Sequence, residues 1–314
     1  MNSKTLHITN GDFTTNYLKN LQFKGDFITW REMLCEGKTT SNVGSESFWK
    51  NRFHFFEKNY QISKKKFIAY TVKEYKTLCQ KKEHNEIVLW FEYDLFCQIN
   101  LIALLSWLKR HRKGHLISLV CSGKVNTSQK MHALTDLNEA QLKQHYKNRI
   151  LLTQDDIAFA DYIWQLYCSS SPLRLETISK IKHTTNLKYL IPALEAHLKR
   201  FPSFENGLNT IENTILETIA QNQPKTKQKL IKYLIKQEND YGFGDLQYQK
   251  SIVQLSDLYE TKQSILLTKK GTKVLNNETN YYANLRDDFS YLGGAKKYNF
   301  LHYNQSNKLF QITS

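Results

Sequence analysis

The sequence predicts an α/β fold: a Rossmann-like, mainly parallel sheet in an N-terminal domain, a helical middle and a winged-helix-like C-terminal domain. Three observations carry this reading. Over residues 1–125 short apolar runs alternate with helical patterns, as in strand–helix–strand units with right-handed crossovers. Residues 126–205 read as helical. In residues 206–314 three helical segments precede Leu267-Thr268-Lys269-Lys270-Gly271-Thr272-Lys273-Val274-Leu275, the outline of a winged helix.

The elements follow in order. Leu6–Thr9 is a short apolar strand and Phe13–Leu21 a helix. Asp26–Trp30 is a second strand. Residues 46–60 and 72–82 read as helices. Glu86–Phe91 is a continuous apolar run of strand length, bounded by polar residues, which predicts a buried strand. Leu95–Arg112 is apolar almost all round and predicts a helix buried against the sheet. Leu116–Cys121 is the next strand, ending at Ser122-Gly123. Asn138–Arg149, Gln154–Cys168, Pro172–Ile181 and Leu187–Phe201 continue as helices, with Thr153 to Asp156 as a helix start and Phe201-Pro202 as a stop. Asn209 with Glu212 forms a capping-box pattern for a helix to about Ala220. Helices over Thr226–Gln237 and from Asp245 to about Tyr259 come next.

The chain has 314 residues and a formal charge of +15, unevenly spread. Residues 1–150 carry a surplus of +11 and residues 151–314 one of +4. A basic surface attracts polyanions, so nucleic acid, a nucleotide or another phosphorylated molecule is the expected partner class. Pro (4) and Gly (12) are too scarce for extended disorder. The five Cys form no C-x-x-C pair, and Cys97 and Cys121 read as small core residues. The apolar run from Leu95 to Leu108 is interrupted by Gln98, Asn100 and Ser106 and is too short and polar to span a bilayer. With no signal-peptide pattern at the N-terminus, a reducing cytoplasm is the expected location.

In a parallel sheet, ligands bind beyond the carboxyl ends of the strands. Those ends here carry Asn10-Gly11-Asp12, Trp30-Arg31-Glu32, Glu92-Tyr93-Asp94 and Ser122-Gly123. Asp12 suits a metal ligand, nucleophile or proton acceptor, and equally a helix cap. Asp94 has the same two readings. Asn10 and Gly11 suit a tight turn open to close ligand approach. Glu92 follows five apolar residues, where an unpaired carboxylate is costly. It reads either as part of a divalent-metal site with Asp94, with Mg²⁺ as the candidate ion, or as one half of an ion pair with Arg31 or a Lys. Arg31 suits an anion clamp and Trp30 a stacking plate, against a core Trp with Arg31 and Glu32 paired to each other. No histidine pair outside the basic run at 109–115 has metal spacing, and no zinc signature, P-loop or G-x-G-x-x-G motif occurs.

Three of these segments, Leu6-His7-Ile8-Thr9-Asn10-Gly11-Asp12, Trp30-Arg31-Glu32 with Glu36-Gly37, and Leu89-Trp90-Phe91-Glu92-Tyr93-Asp94-Leu95, together resemble the bacterial "domain of unknown function 1835" family. Residues 207–216, Gly244-Asp245, 267–275 and Leu292-Gly293-Gly294 are similar to the C-terminal part of its members. Lys38 departs from the pattern, which has Pro after Glu-Gly, and so alters one loop. The resemblance implies that the acidic turns belong together; it implies no activity.

The sequence therefore predicts a protein that binds or acts on a phosphorylated ligand, nucleotide or nucleic acid. Asp12, Glu92 and Asp94 are its candidate catalytic carboxylates. Asn10, Gly11, Trp30, Arg31, Glu32, Ser122 and Gly123 are its candidate ligand contacts. The alternative is a non-catalytic regulatory or adaptor protein whose winged-helix-like domain contacts DNA or protein. For base readout the third helix offers Gln247 and Gln249 but a single Lys.

Overall fold

A computed structural model describes residues 4–125, 131–237 and 240–312. The first part of the helical stretch expected from residue 126 lies outside the described residues until Met131. The chain opens with β1 (Thr5–Asn10), α1 (Asp12–Asn20), β2 (Asp26–Trp30), β3 (Gly37–Lys38) and α2 (Glu46–Tyr60). α3 (Lys64–Phe67) passes through a π-helical turn (Ile68–Val72) into α4 (Lys73–Gln80). This unit begins earlier than the expected helix at 72–82, because the Ser63 side chain caps it by accepting from the Lys66 amide. β4 (Glu86–Trp90), α5 (Leu95–His111) and β5 (Leu116–Val120) follow.

β2, β1, β4 and β5 lie side by side in that order and all run parallel. β6 (Ile150–Leu151) closes the sheet antiparallel to β5. Two residues are too short to leave a period in the sequence, so this edge was not expected. Both faces are covered, which is why β4 reads as one apolar run. Ile87, Leu89 and Phe91 enter the large core with α5, whereas Val88 and Trp90 pack opposite with Leu18 of α1. The sheet order grows outward in both directions from β1 and β4, so the topological switch point lies between their carboxyl ends.

α6 (Glu139–Lys147), α7 (Gln154–Tyr167), α8 (Leu173–Ser179) and α9 (Leu190–Leu198) make the helical middle. Ser106 of α5 donates to Asp161 of α7 at 2.7 Å, so one of the polar interruptions of the apolar run ties two helices together.

The winged-helix-like part comprises α10 (Thr210–Asn222), α11 (Lys227–Lys236), α12 (Asp245–Gln254) and the hairpin of β7 (Tyr259–Thr261) and β8 (Ile265–Leu267). The expected capping box forms: Asn209 and Glu212 exchange side-chain and amide bonds of 2.8 and 2.9 Å. α12 ends before Tyr259, where the chain turns into the hairpin. α13 (Lys269–Leu275) contains Gly271, where a Cβ would lie 1.9 Å from the Leu258 carbonyl oxygen. That contact accounts for the glycine in the Leu267–Leu275 pattern.

After α14 (Tyr282–Leu285), β9 (Tyr291–Gly293) pairs antiparallel with β10 (Ala295–Lys296) and parallel with β3. The C-terminal segment thus adds to a strand that follows β2. β11 (Phe300–Tyr303) and β12 (Lys308–Gln311) form a last hairpin.

A buried ion pair fixes the segment between β2 and β3. Arg52 of α2 is fully buried, and Glu32 is 1% exposed. The guanidinium donates to Glu32 Oε2 at 2.8 Å and to the carbonyls of Glu36 and Met33 at 2.7 and 2.9 Å. Glu32 is therefore paired with Arg52, not with Arg31 beside it. Replacing Arg52 by Met should destabilise the protein by about 3–5 kcal/mol in chemical denaturation, since the Glu32 charge and three acceptors lose their donor. A loss under ~1 kcal/mol, the worth of a surface pair, would contradict this assignment.

Candidate metal and ligand site at the strand switch point

β1 ends in Asn10, whose side chain turns inward. Its Nδ2 donates to Cys97 Sγ at 3.0 Å, and its Oδ1 accepts from Asn100 Nδ2 at 2.8 Å. Gly11 caps α1 with φ of 91°, a region that favours glycine. Asp12 is the first residue of α1, and its carboxylate makes no cap bond. Arg31 reaches it instead, with Nε at 2.9 Å from Oδ2 and Nη2 at 2.7 Å from Oδ1. These bonds hold the Asp12 carboxyl below its usual range. The other end of the guanidinium donates to the Tyr70 carbonyl at 2.8 Å, inside the π-helical turn. Trp30 is buried, with no exposed face, and its Nε1 has no hydrogen-bond partner among the described residues.

The carboxyl end of β4 is built differently. Asp94 is the N-cap of α5, accepting from the Cys97 amide at 2.8 Å. The cap geometry carries Cys97 one turn along, onto the same side as Asp94. Glu92 Oε1 accepts from the Leu134 amide at 2.7 Å, and its carbonyl accepts from Gln98 Nε2 at 2.6 Å. One donor atom each from Glu92, Asp94 and Cys97 lies within 4.8 Å of the others. Asn10 joins this group through Cys97, so the ends of β1 and β4 do meet. Asp12 does not belong to the cluster.

The charge balance sets this cluster apart. Asp12, Asp26, Glu32, Glu86 and Asp161 each have an Arg or Lys partner. Neither Glu92 nor Asp94 has an ion pair among the described residues; Glu92 is not joined to Arg31. Burial, reinforced by Asp94, pushes the Glu92 carboxyl up to about 7. Burial also raises Asp94, against the cap bonds that favour its ionised form. The thiols of Cys97 and of Cys121, at the end of β5, are raised by burial and by these two carboxylates. Two carboxylates and a thiol, without a counter-ion among the described residues, lie close enough together that they could hold a metal ion.

Ser122 and Gly123 hold the neighbouring loop. Ser122 donates to the His132 carbonyl, and the Gly123 carbonyl accepts from the His132 amide at 3.1 Å. The loop before α12 covers the start of α5: the carbonyls of Asp240 and Tyr241 accept from the amides of Leu95 and Phe96 at 2.7 and 3.2 Å. A Cβ at Gly242 would stand 2.3 Å from Asp94 Cγ. Cys97 and Gly242 were missed as site residues. Asp94 and Cys97, three apart across a helix start, were the available signal for the first. Gly242 has none, because its contact is purely tertiary.

No family model matches the chain, and no curated protein matches it. Among solved structures, it is similar to the DNA-binding, cleavage and re-ligation domain of Plasmodium falciparum topoisomerase II, at 13% identity and a TM-score of 0.41. That likeness covers 81% of this chain and 42% of the other, so the chain spans less than half of that structure's length. No helix among the described residues is long and apolar enough to cross a membrane.

The raised Glu92 carboxyl has a pH signature. Its ordinary value of 4.5 applies to the unfolded chain, and the native value is about 7. Between the two the native state binds more protons, so this group's stabilisation is complete below 4.5 and is lost as pH rises through 7. Without added metal, Glu92→Gln should be more stable than wild type by roughly 1–3 kcal/mol at about pH 8, and the difference should shrink toward about pH 5. Parallel denaturation profiles for the two proteins would contradict it.

Proposed function

We propose that the protein holds a divalent metal ion with Glu92, Asp94 and Cys97 and uses this rim to bind or act on a phosphorylated ligand, a nucleotide or nucleic acid. The observation that carries the reading is the convergence of these three donors at the switch point without a neutralising cation. The thiol bears on the choice of ion. A mixed oxygen and sulfur set suits Zn²⁺, whereas Mg²⁺ takes oxygen ligands and water. Binding would displace the thiol proton, which burial otherwise retains. The basic surplus of residues 1–150 favours an anionic partner. We also infer membership of the domain of unknown function 1835 family, whose shared segments include Asn10, Glu92 and Asp94.

A second reading, an adaptor that contacts protein through the winged helix, is favoured by one observation. The exposed side of α12 carries Leu246 (54%) and Val253 (56%) with Gln249. Gln247 faces inward and donates to Met33 Sδ at 3.1 Å, while Lys250 lies over the Phe55 ring. A helix entering a major groove presents Arg, Lys, Asn or Gln instead.

Two measurements test these readings. Zn²⁺ should raise the melting temperature saturably, by an amount equivalent to about 2.7 kcal/mol at a hundred times the Kd, and more than Mg²⁺ does. Asp94→Asn, which keeps a good helix cap, and Cys97→Ser should each remove most of that shift. An equal response to Mg²⁺, or an undiminished Zn²⁺ shift in both variants, would overturn the metal site. For α12, Gln249→Ala should leave duplex-DNA affinity unchanged at every salt concentration; a marked loss would favour base readout.

A further inference from the structure

A cavity of ≈ 140 Å³ lies between α2, β3, the end of α9, the start of α10, α12 and the segment leading through β9 to Tyr298. None of the residues of the switch-point cluster lines it. Arg200, Lys250, Lys297 and Lys58 bring positive charge to it, and Glu36, Glu212 and Asp287 bring negative charge.

The acids are already engaged. Glu212 accepts from Lys297 at 3.0 Å and from the Asn209 amide at 2.8 Å. Asp287 accepts from the Phe289 amide at 2.8 Å and the Ser290 hydroxyl at 3.0 Å. Glu36 accepts from the Tyr60 hydroxyl and stands 4.0 Å from Arg200.

The cations are not engaged to the same degree. Arg200 is 5% exposed, yet its only side-chain hydrogen bond among the described residues goes to the Cys35 carbonyl. It packs over the Phe243 ring at 5.3 Å, and its Nη2 stands 4.0 Å from Glu36 Oε1, beyond hydrogen-bond distance, so its five-donor fork has donors to spare. The Lys250 ammonium has no ion pair or hydrogen bond among the described residues and lies 5.6 Å from the centre of the Phe55 ring. Lys58 sits likewise over Phe289 at 5.4 Å. A buried guanidinium whose one ion pair is 4.0 Å long and a half-buried ammonium with none call for an acceptor-rich anion, because poorly paired charges are costly away from water.

We propose that this cavity is a binding site for a single tetrahedral oxyanion, a phosphate group held by Arg200 and Lys250 with Lys58 at the mouth. Its volume matches that class. It is well below the ~300 Å³ at which sites that enclose a drug-sized molecule start. A phosphate presents only acceptors to Lys and Arg, and the guanidinium fork matches its oxygens in pairs. Burial holds the Lys250 pKa below its ordinary value, and a bound anion would raise it again. Lys58, Arg200 and Lys250 lie on three separate stretches of the chain, so an anion would also tie the N-terminal region to the winged-helix-like part.

The test is calorimetric titration of inorganic phosphate into the full chain at constant ionic strength set with NaCl. The wild type should bind saturably at one site. Lys250→Gln should weaken binding about tenfold. Lys58→Gln, at an exposed position, should weaken it several-fold. A parallel titration with a nucleoside monophosphate separates the two sources: tighter binding with the same Lys250 dependence marks the terminal phosphate of a larger ligand, and weaker binding marks free phosphate. Absence of saturable phosphate binding, or equal affinity in wild type, Lys250→Gln and Lys58→Gln, would overturn the proposal.

Discussion

One buried amide organises the rim of the sheet. Asn100 is fully buried on α5. Its Nδ2 donates to Asn10 Oδ1 at 2.8 Å and to the Glu32 carbonyl at 2.6 Å, and its Oδ1 accepts from the Leu34 amide at 3.2 Å. The chain leaving β1 and the chain leaving β2 are thus both held against the helix that follows β4. An unsatisfied amide in this position would cost about 1–3 kcal/mol per lost partner, so the geometry is mutually enforced. Asn10, once fixed, directs its own Nδ2 to Cys97. The proximity of Cys97 to Asp94 then follows from the helix cap.

This arrangement sorts the acidic residues by role. Asp12 and Glu32 hold structure, through Arg31 at the surface and Arg52 in the core. Glu92 and Asp94 accept from amides and have no cationic partner among the described residues, and amides satisfy lone pairs without cancelling charge. The contrast lies within one rim of one sheet, with carboxylates close in sequence to one another. It is the physical ground for placing metal chemistry at β4 and not at β1.

Most of the fold was legible because periodicity and caps are local. The run Glu86–Phe91, the all-round apolar α5 and the Asn209–Glu212 box each announce their element without reference to the rest of the chain. The polar residues of α5 were legible too, but only as interruptions of a membrane-like run. Gln98, Asn100 and Ser106 turn out to bond to Glu92, to Asn10 and to Asp161. Partner choice was not legible. Arg31 and Glu32 are neighbours in sequence on opposite sides of an extended chain, so each found a partner elsewhere. The pairing of β3 with β9 joins distant segments of two or three residues, too short to carry a pattern. Asp94 was legible as a cap, and Cys97 became a candidate ligand only when the cap geometry placed it.

The central claim is that Glu92, Asp94 and Cys97 form one metal site. The most direct measurement is anomalous diffraction at the zinc edge from crystals of the full chain grown with Zn²⁺. The account predicts a peak roughly 2.3 Å from Cys97 Sγ and about 2.0–2.2 Å from carboxylate oxygens of Glu92 and Asp94. Zinc bound only at surface histidines, with no peak at the carboxyl end of β4, would contradict it.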